Sequence, residues 1–164
     1  MSKTLRVIDI IDGTTVDGPG FRTSVYLAGC NHGCPGCHNP QSWDHAAGRD
    51  MSVDEVVEII DEADFPVTLS GGDPIYQPEA VTELCRRLKQ SGRNIWLYTG
   101  FCIETLYGRE ELSELLGLVD VVVDGPYIAD QRDTSLLFRG SANQRLIDMR
   151  RSTPSEIALW EPEW

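Results

Sequence analysis

The sequence predicts an α/β fold: an open partial (β/α) barrel of mainly parallel strands, with its chemistry at the C-terminal ends of those strands. Three observations predict it. Short β-branched runs alternate with amphipathic helical runs, the pattern of parallel strands joined by right-handed crossovers. The unusual residues collect where the strand runs end, which is where open α/β sheets and barrels bind ligands. The chain has 164 residues and 41% apolar content, enough for one sizeable core, and its four strand-helix units are too few for a closed eight-stranded barrel. We therefore expect a single domain over residues 1–164.

Taken in order, residues 23–28 read as the first strand, rich in β-branched and aromatic side chains. A loop with three cysteines comes directly after it. Ser52 then reads as a helix N-cap with Glu55 as its capping-box partner, and Val53, Val56, Val57 and Ile60 lie beyond it at helical spacing. Residues 67–70 form a short apolar strand that ends at Gly71-Gly72-Asp73-Pro74. A second helix runs from about 78 to 90, with Val81, Leu84, Cys85 and Leu88 on its apolar face and Ser91-Gly92 as its stop. Residues 94–98 are the next strand, followed by Thr99-Gly100. Leu112, Leu115 and Leu116 mark another helix, ended by Gly117, and residues 119–123 are a strand followed by Asp124-Gly125-Pro126. Beyond residue 128 the sequence gives polar turns and a short apolar stretch at 157–160, with no repeat or linker.

The net charge of −12 disfavours a nucleic-acid partner, whose backbone rewards basic surfaces. No apolar run reaches membrane-spanning length, and the first apolar stretch is broken by Asp9 and Asp12, so we expect no leader, no anchor and a cytoplasmic protein. Five cysteines, three of them clustered, suggest a metal or redox site rather than a disulfide framework.

The clustered cysteines are Cys30, Cys34 and Cys37, in the order Cys-x3-Cys-x2-Cys. An ordinary iron–sulfur cluster takes four thiolates. Three thiolates in one short loop can hold three irons of a [4Fe–4S] cube and leave one iron open to a substrate. The competing reading is a zinc site completed by His32 or His38, although structural zinc sites usually show two separated ligand pairs. Gly29, Gly33 and Gly36 let the loop fold tightly. Gly71 and Gly72 would admit a ligand close to the backbone, and Asp73 offers a carboxylate for an ammonium group. Cys85 reads as core, Cys102 has no partner in sequence, and His45 reads as a surface loop residue. Asn39 is either a ligand contact or a helix N-cap, and Asp124 either a ligand contact or a strand end.

Several stretches together resemble a known family. They are Gly18-Pro19-Gly20-x-Arg22, Gly29-Cys30-x3-Cys34-x2-Cys37-His38-Asn39-Pro40 and Ser70-Gly71-Gly72-Asp73-Pro74. To these are added 95–100, 122–127 and 133–145, the last with Phe138-Arg139-Gly140-Ser141 and Asn143-Gln144-Arg145. Over residues 5–148 the chain resembles the radical S-adenosylmethionine enzymes that activate glycyl-radical enzymes. Within that group it is most similar to the activating proteins of anaerobic (class III) ribonucleotide reductases.

The resemblance implies a [4Fe–4S] cluster on Cys30, Cys34 and Cys37, with S-adenosylmethionine on the open iron. Gly71, Gly72 and Asp73 would correspond to the family's Gly-Gly-Glu motif, which holds the methionine ammonium, and Gly36, Cys37 and His38 would lie against the nucleoside. It also implies reductive cleavage to a 5′-deoxyadenosyl radical, which takes a hydrogen from a backbone glycine of the large subunit of anaerobic ribonucleotide reductase. The electron would come from a low-potential donor such as flavodoxin or ferredoxin. This chain departs from many relatives at Gly36, where they carry an aromatic residue, so His38 becomes the candidate cover for the adenine. Pro126 stands where some relatives have lysine, leaving Arg139 or Arg145 as candidate cation for a bound carboxylate. The competing functions are activation of another glycyl-radical enzyme, radical chemistry on a small molecule, and a non-catalytic zinc or iron–sulfur binding module.

Overall fold

The computed structural model describes residues 3–37 and 40–162. Its strands are β1 (Thr4–Thr14), β2 (Arg22–Leu27), β3 (Arg49–Ser52), β4 (Val67–Gly71), β5 (Ile95–Tyr98), β6 (Val121–Asp124) and β7 (Arg145–Asp148). Its α-helices are α1 (Val53–Ala63), α2 (Pro78–Gln90), α3 (Ile103–Tyr107) and α4 (Ser113–Leu118). All seven strands join one sheet in the order β3-β1-β2-β4-β5-β6-β7. The expected parallel centre is present: β2, β4, β5 and β6 pair in parallel. The flanks differ from expectation, because β1 pairs antiparallel with both β2 and β3, and β7 pairs antiparallel with β6. The sheet is open, with β3 and β7 as its edges.

Alternation along the strands divides the two faces. Val25, Leu27, Val67, Leu69, Ile95, Leu97 and Val122 point to one face, where the stripes of α1, α2, α3 and α4 cover them in one buried cluster. Ser52 caps α1 as the sequence predicts, with Glu55 returning the bond to the Ser52 N–H. The α1 residues Val53, Val56, Val57 and Ile60 are buried, each worth about 1.5–3 kcal/mol on burial. Cys85 is fully buried on α2, and its thiol is pushed up to about 12 by loss of solvent. Gly117 does not end its helix. It lies inside α4, which runs to Leu118, and the strand after it starts at Val121 rather than 119.

The other face is polar near β2 and β4 and aromatic near β5 and β6. Trp96 packs edge-on against Phe138 at 5.4 Å and Trp160 at 4.9 Å, so the C-terminal segment folds back over Val121 and Val123. Arg22 is fully buried there. Its Nε donates to Thr68 Oγ1 (2.9 Å), its Nη2 to Val67 O (2.8 Å) and Asn94 Oδ1 (2.9 Å), and its guanidinium lies 5.6 Å from the Trp96 ring. This residue therefore ties β2 to β4 and to the turn before β5. Burial lowers its pKa to about 10.

Candidate functional site

The C-terminal ends of the central strands open into one cavity of about 960 Å³ on the polar face of the sheet. Cys30, Cys34 and Cys37 line it from the loop after β2, and Ser70, Gly71 and Gly72 from the end of β4. Tyr98, Thr99 and Gly100 line it from β5, and Gly125 and Tyr127 from beyond β6. The antiparallel strand β1, not foreseen in the sequence, adds Ile8, Asp9 and Ile11, and the loop before β7 adds Leu136 to Gly140.

The cysteine loop is held at its base by backbone bonds. Gly29 N–H donates to Ser42 O (2.7 Å), Cys30 N–H to Trp43 O (3.2 Å), and Asp73 N–H to Gly29 O (2.8 Å). His45 is an exposed loop residue, as its sequence reading has it, and it is tied to the loop. Its Nε2 bonds Asn31 Oδ1 at 2.8 Å, and its ring meets Tyr76 edge-on at 5.4 Å. Gly29 has φ +102°, a backbone that favours glycine, and a Cβ on it would sit 2.6 Å from His45 Nδ1.

The Gly71-Gly72 pair is also required by packing. Gly71 has φ +103°, and a Cβ on it would lie 2.3 Å from Leu27 N. A Cβ on Gly72 would lie 2.4 Å from Gly29 O. The end of β4 thus presses backbone to backbone against the root of the cysteine loop.

Asp73 and Asp124 are brought near the site but face away from it. Asp73 is fully buried, and its carboxylate is already engaged. Oδ1 accepts from Ile75 N–H (3.0 Å), while Oδ2 accepts from His32 Nε2 (2.7 Å), Thr99 Oγ1 (2.9 Å) and Gly100 N–H (2.9 Å). In this conformation both carboxylate oxygens are engaged by groups of the protein itself. Asp124 is likewise fully buried. It accepts from Ile103 N–H (2.9 Å) at the start of α3 and pairs with Arg145 at 2.5 Å. Asp124 thus stands at the end of β6 with its carboxylate on the first N–H of α3 and on Arg145. Arg145 is spoken for as well, since it also pairs with Glu104 at 2.5 Å.

His38 and Asn39 lie outside the described residues. Gly36 adopts φ +77°, and a Cβ on it would come 3.4 Å from the Tyr127 ring. An aromatic ring therefore does sit beside that position, supplied from beyond β6. Two residues weighed in the sequence for other roles also stand at the site. His32 packs edge-on against Phe101 at 4.6 Å and organises Asp73, and Arg139 lines the cavity. Cys102 is exposed and is not part of the cavity wall.

The three cysteines line one side of the cavity. Among the described residues no three His, Cys, Asp or Glu side chains gather closely enough to share one metal ion. Burial, with a smaller contribution from the Asp73 carboxylate, pushes the Cys30 thiol up, so metal binding there must displace a proton. Among the described residues no helix is long and apolar enough to cross a membrane.

Comparison with known proteins agrees with this arrangement. Residues 16–147 match the family described as "4Fe-4S single cluster domain". The chain is 32% identical over 146 residues to the anaerobic ribonucleoside-triphosphate reductase-activating protein of Escherichia coli, covering 82% of this chain and 93% of that protein. It is 38% identical over 141 residues to the protein of the same name from Vibrio cholerae, covering 79% and 88%. Among solved structures, QueE from Escherichia coli superposes with a TM-score of 0.50 at 16% identity, covering 59% of this chain and 52% of that one, a likeness of fold alone.

Proposed function

The chain belongs to the family of anaerobic ribonucleoside-triphosphate reductase-activating proteins, and we propose that it is a radical S-adenosylmethionine activase for an anaerobic ribonucleotide reductase. In the proposed reaction one electron cleaves S-adenosylmethionine to methionine and a 5′-deoxyadenosyl radical. That radical takes one hydrogen atom from a backbone glycine of the partner's large subunit, giving 5′-deoxyadenosine and a glycyl radical. A low-potential carrier such as flavodoxin or ferredoxin would supply the electron.

The observation that carries this reading is the meeting of Cys30, Cys34 and Cys37 with Gly71, Gly72, Thr99 and Gly100 in one cavity at the strand ends. The three thiolates would hold the cluster, which when bound supplies an electron at low potential. The glycine backbone at the end of β4 would receive the amino-acid end of the substrate. Tyr127 offers a ring beside the cysteine loop for the nucleoside. The open side of the cavity gives a glycine loop of another protein a way in.

The test is electron paramagnetic resonance of anaerobically reconstituted, reduced protein. A cluster signal that changes shape with S-adenosylmethionine, followed by a glycine-centred radical and 5′-deoxyadenosine once the reductase is added, is the expected result. Stoichiometric zinc with no cluster after reconstitution would overturn it.

A further inference from the structure

The two sides of the sheet end differently. At β7 the edge is closed by the C-terminal segment, because Asp148 N–H donates to Ala158 O (2.9 Å) and Trp160 N–H to Leu146 O (2.8 Å). At the other side β3 is short, and it pairs with β1 only from Thr4 to Val7. The chain before β3 crosses β1 at Gly48, where a Cβ would strike Val7 O at 2.2 Å. Strand β1 itself runs on to Thr14, and its inner edge stays paired with β2 that far. Among the described residues no backbone group pairs with the outer edge of β1 from Asp9 to Thr14. Such an edge is a template for another strand, and sheets guard it with charge, bulges or a covering loop. Here the guard is local: Ile10 N–H donates to the Asp9 carboxylate (2.9 Å). A carbonyl of an incoming strand can take that N–H and release the carboxylate.

The open edge runs along the rim of the cavity. Ile8, Asp9 and Ile11 of β1 line that cavity, joined by Val16 and Asp17 from the turn that follows. Ile11 and Val16 are 45% and 71% exposed, so the rim offers bare apolar surface to a partner. Among the described residues Asp9 and Asp17 take part in no ion pair, so the rim also asks for a cation. The occupant that meets all three features is an extended peptide with apolar and basic side chains. We infer that this edge is the docking strand for the reductase. An extended segment of its large subunit pairs with residues 9–14 as an added strand and brings its glycine along the rim into the cavity. Apolar side chains of that segment meet Ile11 and Val16, and a lysine or arginine meets Asp9 or Asp17. The inference rests on the proposed function and adds to it the surface that holds the protein substrate.

The test is hydrogen–deuterium exchange of the reconstituted holoprotein, alone and with excess large subunit of the anaerobic ribonucleotide reductase. Outward-facing amides within residues 9–14 should exchange at least about tenfold more slowly in the complex, while those of 157–160 keep their rate. Asp9→Lys sets like charges against each other and should weaken binding of the large subunit about tenfold or more. Val16→Asp, at a more exposed position, repeats the test if the first variant loosens β1. Leu159→Asp, 54% exposed beside the closed edge, should change binding by less than about twofold. A glycine-centred radical formed on the reductase without protection of 9–14, or binding untouched by both Asp9→Lys and Val16→Asp, overturns the inference and leaves the proposed function standing. Protection of 9–14 in the protein alone that disappears on dilution gives the edge to a second copy of this chain and overturns it too. Wild-type protein that neither binds the large subunit nor forms the radical on it overturns the proposed function and this inference with it.

Discussion

Asp73 separates two accounts of the site, one in which its carboxylate grips the ligand and one in which it organises the wall. The perturbation is Asp73→Asn, which keeps the shape and removes the charge. Oδ2 serves three donors and Oδ1 a fourth, all from the protein. Placing the amide oxygen at Oδ2 leaves its NH2 facing the Ile75 N–H, a donor against a donor. Depriving that buried N–H of its acceptor costs about 1–3 kcal/mol, and turning three charge-assisted bonds into neutral ones costs about 1 kcal/mol each. Neutralising a buried carboxylate relieves part of its desolvation, which brings the net loss to about 2–4 kcal/mol. With a urea slope of about 2 kcal/mol/M, the unfolding midpoint of the cluster-free chain should fall by about 1–2 M. The assay is urea denaturation of wild type and variant, paired with S-adenosylmethionine binding to the reconstituted forms. A midpoint within about 0.3 M of wild type, together with abolished binding, would refute the organising role, because such a shift is below the loss of even one buried bond.

Three further outcomes are expected from the same structure. Gly71→Ala places a Cβ 2.3 Å from Leu27 N at φ +103°, so backbone strain and overpacking together should cost about 2–6 kcal/mol, read as a lower melting temperature; a loss under about 1 kcal/mol would mean that β4 does not press on β2 there. Ser52→Ala removes the capping box of α1 and should cost about 1 kcal/mol, lowering the melting temperature by about 2–4 °C with cluster loading unchanged. Hydrogen bonding from Arg145 holds the Glu104 carboxyl below its ordinary value. Its stabilising contribution is therefore full above the ordinary carboxylate range and is lost as pH falls through the lowered value. The pair is half exposed, so Glu104→Gln should cost less than about 1 kcal/mol at neutral pH and flatten the acid side of the stability profile, measured by urea midpoints across pH.

The parallel centre was legible because its signals are local. Strands β4 and β5 and helix α2 fall within a residue of where periodicity puts them, and the Ser52 cap is where its partner Glu55 announces it. The three unforeseen strands lie outside the parallel centre and carry charge in place of an apolar run. Strand β3 contains Arg49 and Asp50, and β7 is Arg145 to Asp148. Strand β1 reads as broken at Asp9 and Asp12 because its outer half serves a cavity wall and its pairing with β2 carries two register shifts. The cysteines and glycines were legible for the same local reason. The inward turn of Asp73 and the exposure of Arg139 to the cavity were not. Each depends on partners 26 or more residues away in one case, Thr99 and His32, and on a loop stapled back to β6 in the other.

The glycine pair after β4 shows why a motif can be read correctly and explained incompletely. Sequence reasoning gives Gly71 and Gly72 to the ligand, because bare backbone lets a small molecule come close. The nearer contact in the folded chain is another stretch of backbone: a Cβ on Gly72 would strike Gly29 O at 2.4 Å and Ser42 O at 2.9 Å. Both of those carbonyls belong to the frame that holds the cysteine loop, and Asp73 N–H donates to one of them. A side chain at Gly72 therefore presses on the frame of the cysteine loop, and one at Gly71 on the end of β2 from which that loop departs. Variants at these positions should lose cluster and substrate together, read as iron content and S-adenosylmethionine binding of the reconstituted protein. The glycines thus belong to the packing that presents the cysteine loop.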